Sequence, residues 1–326
     1  MAEFARISDL SALPARLRDG VVAIGNFDGV HRGHQVVLSR ALDEARALDA
    51  PALVLTFEPH PRQFFRPDIP LYRLTPPDLK ARLIETLGFD AVVELPFTAG
   101  FAAQSAEEFV DRILIEGLGI RHVVTGFDFH FGKDRKGGPA FLMQAGRAKG
   151  FQVSLLDAFR DEGTDVISSS RIRELLCAGD VAQSAGLLGY RYTVEGVVSR
   201  GKQLGRTLGY PTANKALADD NGLRHGIYAV RLRDASGTLH DGVASFGRRP
   251  TVDDAGAPLL ETFVFDFSGD LYGQTCTVSF FGFLRGEEKF ASLDDLVVQM
   301  QRDEAEARAL LAGVRPLGPL DVEIAF

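Results

Sequence analysis

Short apolar runs alternate with helical patterns through the first part of the chain. "VVAIG" (21–25), "ALVLTF" (52–57), "AVVEL" (91–95), "HVVTG" (122–126) and "QVSLL" (152–156) read as strands buried on both faces. Between them, "TPPDLKARLIETLG" predicts a helix with Thr75 as its cap, Pro76 in the first turn and Gly88 as its stop. "SAEEFVDRIL" predicts another, with Ser105 and Glu108 at capping-box spacing. This alternation implies an α/β unit whose parallel sheet is covered on both faces, with ligands beyond the carboxyl ends of the strands.

After a short helix around 181–188 the period falls to two. "YTVEGVV" (192–198), "IYAVRLRD" (227–234), "TLHDGVASF" (238–246), "ETFVFDF" (261–267) and "CTVSFFGFL" (276–284) predict a closed antiparallel barrel or a sandwich. A terminal amphipathic helix is expected to start after Ser292 and stop at Gly313. The domains are therefore expected at 1–186 and 187–326.

Bulk composition narrows the function classes. A chain of 326 residues is too long for one ordinary core. Its net charge of -8 argues against broad nucleic-acid binding, although a local basic loop can still grip a phosphate. Cys177 and Cys276 are the only cysteines, which fits a reducing cytosol and excludes a cysteine zinc cluster. The N-terminal stretch lacks the apolar core of a signal peptide, and no apolar run is long enough to span a bilayer. A cytoplasmic protein with no nucleic-acid or membrane partner is expected.

The candidate chemistry of the first half begins with "GNFDGVHRGH" (25–34), directly after the first strand. Glycines let backbone approach a ligand, and the N-terminus of the following helix suits a phosphate. His31 and His34 add hydrogen-bonding groups on the same turn. A metal pair assisted by Asp28 is the alternative, with a spacing that makes a poor zinc signature. "GFDFHFGKDRKGG" (126–138) reads as a mobile basic loop and departs from a P-loop in length and in the residue after its lysine. "ISSSRIRELL" (167–176) offers capping serines with Arg171 and Arg173.

In the second half, "RGKQLGRTLGYPTAN" (200–214) places Lys202 and Arg206 among Gly201, Gly205 and Gly209, as a phosphate loop would. Thr212 and Asn214 offer hard oxygen ligands for magnesium. By strand alternation Glu261 shares a face with Phe263, Phe265 and Phe267. A carboxylate there is costly unless paired or functional, and burial would suit it to be a general base; at a strand start it can also simply reach solvent.

The set "GNFDGVHRGHQ", "TFEPHP" (56–61), "GFDFHFGKDRKGG" and "ISSSRIR" resembles the FMN adenylyltransferase module of bacterial bifunctional riboflavin kinase/FAD synthetases. "GRTLGYPTAN", "GIYAV", "FGRRPT", "ETFVFDFSGDLYG" and "FLRGEEKF" resemble the riboflavin kinase module of the same family. The resemblance implies a Rossmann-like nucleotidyltransferase domain followed by a small antiparallel β-barrel. It implies that riboflavin is phosphorylated by ATP in the barrel and that the resulting FMN is adenylylated by a second ATP in the first domain, with magnesium serving both. By the same resemblance Gly25, Asn26, Phe27, Asp28, His31, His34, Ser169, Ser170 and Arg173 would bind ATP, with the two histidines stabilising the transition state. Pro59, His60, Asp128 and Phe129 would contact FMN or adenosine. Gly201, Lys202, Gly205 and Arg206 would close over the kinase nucleotide, Thr212 and Asn214 would hold Mg-ATP, Glu261 would be the base, and Arg285 would line the flavin side. Phe263 and Lys215 depart from the family pattern. The rival readings are a nucleotidyltransferase for another phosphorylated metabolite with a regulatory barrel, and a non-catalytic flavin-binding protein.

Overall fold

The computed structural model describes residues 3–200, 210–248 and 258–326. The chain divides into two compact units, 1–169 and 170–326. This division lies upstream of residue 186, because the helices Ser169–Ala178 (α7) and Val181–Leu188 (α8) group with the second unit almost entirely.

The first unit is built on six parallel strands: β1 (Ala5–Ile7), β2 (Val21–Ile24), β3 (Ala52–Glu58), β4 (Ala91–Pro96), β5 (His122–Gly126) and β6 (Gln152–Leu156). Their order is β1-β4-β3-β2-β5-β6. From β2 the chain steps outward through β3 to β4, then returns to the other side of β2 for β5 and β6. The topological switch point thus lies at the carboxyl ends of β2 and β5, where ligands of such sheets bind. The expected strands are all present. β1 escaped the sequence reading because its three residues, Ala-Arg-Ile, carry almost no periodic signal.

Val22, Ile24, Leu53, Leu55 and Phe57 share one core with Phe109, Val110, Ile113 and Leu114 of the π-helical stretch Phe109–Leu118. Val21 and Ala23 point the other way and are also fully buried, so the sheet is covered on both faces. Helix α1 (Arg32–Leu48) lies against β2, β3 and β5. Ser105 and Glu108 form the expected reciprocal capping box. The helix Pro77–Thr86 (α3) corrects one expectation: Pro76, not Thr75, occupies its cap position, and no side chain caps it. Thr75 is instead fully buried and hydrogen-bonded to the turn after β2.

The second unit is a six-stranded antiparallel sheet of β7 (Thr193–Val197), β8 (Thr212–Ala216), β9 (Gly226–Arg233), β10 (Leu239–Arg248), β11 (Pro258–Val264) and β12 (Thr275–Arg285). The order is β7-β12-β9-β10-β11-β8, and a bridge from Ser199 to Asn214 ties the two edges into a nearly closed barrel. This settles the choice between barrel and sandwich. The helix Leu293–Gly313 (α9) begins at the Ser292 cap as expected and lies on β9, β10 and β12. Gly282 of β12 permits that approach, since a Cβ there would meet Leu310 at 2.5 Å. Two bulges in β12, at Phe280/Gly282 and Phe283/Arg285, bend the strand around the barrel.

The helix Pro319–Ala325 (α10) is fastened to this unit by charge and aromatic contact. Asp321, fully buried, accepts from the backbone N–H and the guanidinium of Arg191. The guanidinium groups of Arg191 and Arg231 lie over the rings of Phe281 and Phe326. Upstream, Arg224 donates to the carbonyls of Leu176 and Ala178, which joins α7 to the barrel.

Candidate active sites

The turn after β2 is a taut structure. Phe27 (φ 49°) and Val30 (φ 37°) hold left-handed backbone although neither is glycine, and Gly29 adds φ 92°. Both side chains are buried, so packing enforces a conformation that would otherwise be disfavoured. The turn delivers His31 to the cap position of α1, where its Nδ1 accepts from the backbone N–H of His34 at 3.2 Å. In the neutral ring the proton is therefore on Nε2, which leaves a donor. The two imidazoles stack with centroids 3.6 Å apart and planes at 16°, and Phe27 meets His34 edge-on. His34 Nδ1 is buried without a hydrogen-bond partner. Burial, then the nearby charges of His31 and Lys80, draw His34 well below the usual histidine range.

Beneath the turn lies a network of charges that sequence reasoning missed. Asp28 Oδ1 accepts from the backbone N–H groups of Leu74 and Thr75, both at 3.0 Å, and lies 3.6 Å from Arg73 Nε. Thr75 Oγ1 accepts from Gly29 N–H at 2.8 Å. Arg73 grips Glu58 with both Nη atoms, at 3.0 and 2.8 Å. Lys80, fully buried, donates to Glu58 at 2.7 Å and to Thr56 at 3.1 Å, and Thr56 donates to the carbonyl of Asn26. Burial pushes the Glu58 carboxyl up, but the Arg73 hydrogen bonds and the Lys80 charge outweigh it and hold it at about 2. A signal was available: Lys80 lies on the apolar stripe of α3, one turn before Leu83 and Ile84, and a lysine there must find a partner.

Other expected residues of the first unit follow the carboxyl ends of β3 and β5. His60 caps the short helix Pro61–Phe65 through Nδ1, directly after Glu58 and Pro59. Asp128 is exposed after β5, and Phe129 stacks on Phe131 at 5.5 Å. The basic loop is closed by a two-bond bridge between Phe131 and Gly137, and Lys133 donates its N–H to Gln104. Ser169 donates from Oγ to the carbonyl of Asp28 at 2.7 Å. Ser170 and Arg173 continue α7 into the second compact unit.

In the barrel the register brings three expected residues together. Asn214 lies opposite Glu261, and Thr212 opposite Phe263, on β8 and β11. Cross-strand partners share a face, so Thr212, Asn214 and Glu261 form one oxygen-rich patch. Asn214 is buried and donates from its amide to the Thr212 carbonyl. Glu261 departs from its expected setting: the inward residues of β11 are Leu260, Thr262 and Val264, while Glu261 and Phe263 are half-buried on the other face. The strand ends at Val264 and Asp266 turns with φ 54°, so Phe265 and Phe267 do not continue the alternation. Phe263 packs edge-on against Tyr210 at 4.7 Å. Lys215 is buried inside the barrel, with Nζ on the Cys276 carbonyl, and burial brings it down to about 8. Arg285 is held by Asp303 of α9 through two bonds of 2.8 and 2.7 Å. Gly201, Lys202, Gly205 and Arg206 lie outside the described residues.

Among the described residues no group of three or more acidic, histidine or cysteine side chains is arranged to hold a metal, and no helix is long and apolar enough to cross a membrane.

Comparison with known proteins matches both halves. Residues 13–171 match the FAD synthetase family and residues 188–311 the riboflavin kinase family. The chain is 44% identical over 298 residues to a bifunctional riboflavin kinase/FMN adenylyltransferase of Pseudomonas fluorescens, covering 90% of this chain and 94% of that one. It is 40% identical to the protein of the same description from Haemophilus influenzae, with the same coverage. A solved structure described as a macrolide-efflux protein from Streptococcus pneumoniae superposes with a TM-score of 0.82 at 31% identity, covering 94% of this chain and 98% of that one.

Proposed function

The chain belongs to the bifunctional riboflavin kinase/FMN adenylyltransferase family, and from that premise we infer that it builds FAD from riboflavin in two ATP-dependent steps. In the first, the ribityl 5′-hydroxyl attacks the γ-phosphorus of ATP, giving FMN and ADP. In the second, the FMN phosphate attacks the α-phosphorus of another ATP, giving FAD and pyrophosphate. The observation that carries this reading is the presence, in one chain, of both family matches in sequence. Since each half matches an enzyme family, neither the regulatory barrel nor the flavin carrier gains support. We place the functional boundary between the two matches, near residue 187.

For the kinase step we assign Glu261 as the base that takes the hydroxyl proton. Its half-buried position beside Asn214 supports this, because the carboxylate stays reachable by a substrate. The hydroxyl of Thr212 and the amide oxygen of Asn214 are hard donors, few in number, which fits magnesium held chiefly by nucleotide phosphates. When bound there, magnesium supplies neutralisation of phosphate charge. Gly201, Lys202, Gly205 and Arg206 are assigned to the nucleotide, and Arg285 to the flavin side with its charge already balanced by Asp303.

For the adenylyl step we assign His31, His34 and the N-terminus of α1 to the ATP phosphates, with Gly25, Asn26, Phe27 and Asp28 shaping the turn. Ser169, Ser170 and Arg173 are assigned to the departing pyrophosphate. Pro59, His60, Asp128 and Phe129 are assigned to FMN or adenosine. Such transfers need positioning and charge neutralisation more than a covalent nucleophile, and a taut turn with two imidazoles supplies both. The paucity and separation of its cysteines are consistent with a cytoplasmic location. Incubation with riboflavin, ATP and magnesium, followed by chromatography, tests the assignment: FMN and FAD are expected in succession, and the absence of both would overturn it.

A further inference from the structure

Asp28, Arg73, Glu58 and Lys80 form a continuous chain of charges under the histidine turn. Their hydrogen bonds end on the turn itself. Thr75 and Asp28 fix Gly29 and the strap 73–75, while Lys80 reaches the Asn26 carbonyl through Thr56. At its centre Glu58 immediately precedes Pro59 and His60, the loop assigned to FMN or adenosine. One half-buried carboxylate therefore links that loop to the network under the histidine turn.

We propose that Lys80 is a positioning residue for adenylyl transfer, its side chain locking Glu58 and Thr56 under the turn that carries His31 and His34. This rests on the reading of the first unit as the adenylyltransferase. Lys80 enters from α3 and donates to Glu58 at 2.7 Å; burial draws its amine down, and the Glu58 charge opposes that shift. His31 is stacked on His34 and Phe27 meets it edge-on. Burial, and then the charges of His31 and Lys80, oppose protonation of that ring. An uncharged imidazole presents one donor in a defined tautomer. Lys80 thus orders the turn, and its charge adds to burial in opposing protonation of His34.

The test is Lys80→Met in the full chain, with both activities measured across pH. Met fills the stem's volume, and Arg73 still neutralises Glu58. FAD formation from FMN is expected to fall about 10- to 100-fold in kcat/KM through loosened positioning. The acid limb of its pH profile is expected to move to higher pH than in the wild type, because the vanished cation lets His34 protonate more readily. Substrate ionisations are common to both proteins and cancel in that difference. A uniform loss with an unmoved limb would reduce Lys80 to a packing residue and overturn the proposal. If wild type itself makes no FAD, the functional reading fails instead. Should the variant not fold, Thr56→Val decides, since it cuts the path from Lys80 to the Asn26 carbonyl. A fall in FAD formation with FMN formation intact upholds the proposal, and unchanged FAD formation refutes it.

Discussion

Asn214 and Glu261 are direct partners across β8 and β11, so an amide and a carboxylate face the same space from adjacent strands. This pairing is fixed by the sheet register: a slip of one residue would turn Thr212 and Asn214 to the opposite face and leave Glu261 alone. The kinase assignment therefore depends on two strands rather than on one motif.

Replacing Glu261 with Gln keeps the shape and removes the base. FMN formation from riboflavin is expected to fall by roughly 10²- to 10⁴-fold, while FAD formation from supplied FMN stays unchanged. Chromatographic assay of the two half-reactions on the same preparation reads both. Loss of both activities in a folded protein would refute the two-site assignment.

His34→Ala should give the mirror image. It removes half of the imidazole stack, and FAD formation is expected to drop by about 10²- to 10³-fold, as when a preorganised donor is lost. Riboflavin is then converted only to FMN, which accumulates.

Thr75→Val deletes the oxygen that accepts from Gly29 N–H in the buried turn. A cost of about 1–3 kcal/mol to the first unit is expected in urea unfolding. FAD formation is expected to weaken and FMN formation to persist, because the affected turn is the histidine turn.

Lys215 gives the second unit a particular pH response. Its amine falls from 10.5 in the unfolded chain to about 8 in the barrel, because burial disfavours the charge. Between those values the unfolded chain holds a proton that the folded one has released, so stability rises with pH across this window. The gain is at most about 3 kcal/mol, and it is absent at neutral pH, where both states are protonated. Urea unfolding at pH 7 to 10.5 should show the slope in wild type and lose it in Lys215→Met.

Much of this was legible in the sequence, for identifiable reasons. Strands buried on both faces, such as Val21–Ile24, and helices with side-chain caps, such as the one starting after Ser292, declare themselves through local pattern. The histidine turn stood out because residues of such different kinds follow a buried strand. What escaped depends on contacts across the chain. Thr75 looked like a cap because capping is local chemistry, yet its partner is Gly29, 46 residues away. Lys80 carries no local sign of its partners, since Glu58 and Thr56 come from β3. Glu261 shares a face with Phe263 as alternation predicts, but the pattern does not reach Phe265 and Phe267 because the strand ends at Val264.

The clasp between Arg191 and Asp321 bears on how the kinase half could be separated. The riboflavin kinase match runs from 188 to 311, and a fragment cut to those limits would keep Arg191 but discard Asp321 and Phe326. A guanidinium that is nearly buried would lose its counter-charge and its aromatic cover together. Such a cut would also remove Leu176 and Ala178, the carbonyl partners of Arg224. A fragment intended to fold alone should run from about residue 170 through Phe326, following side-chain debts rather than the reach of family likeness.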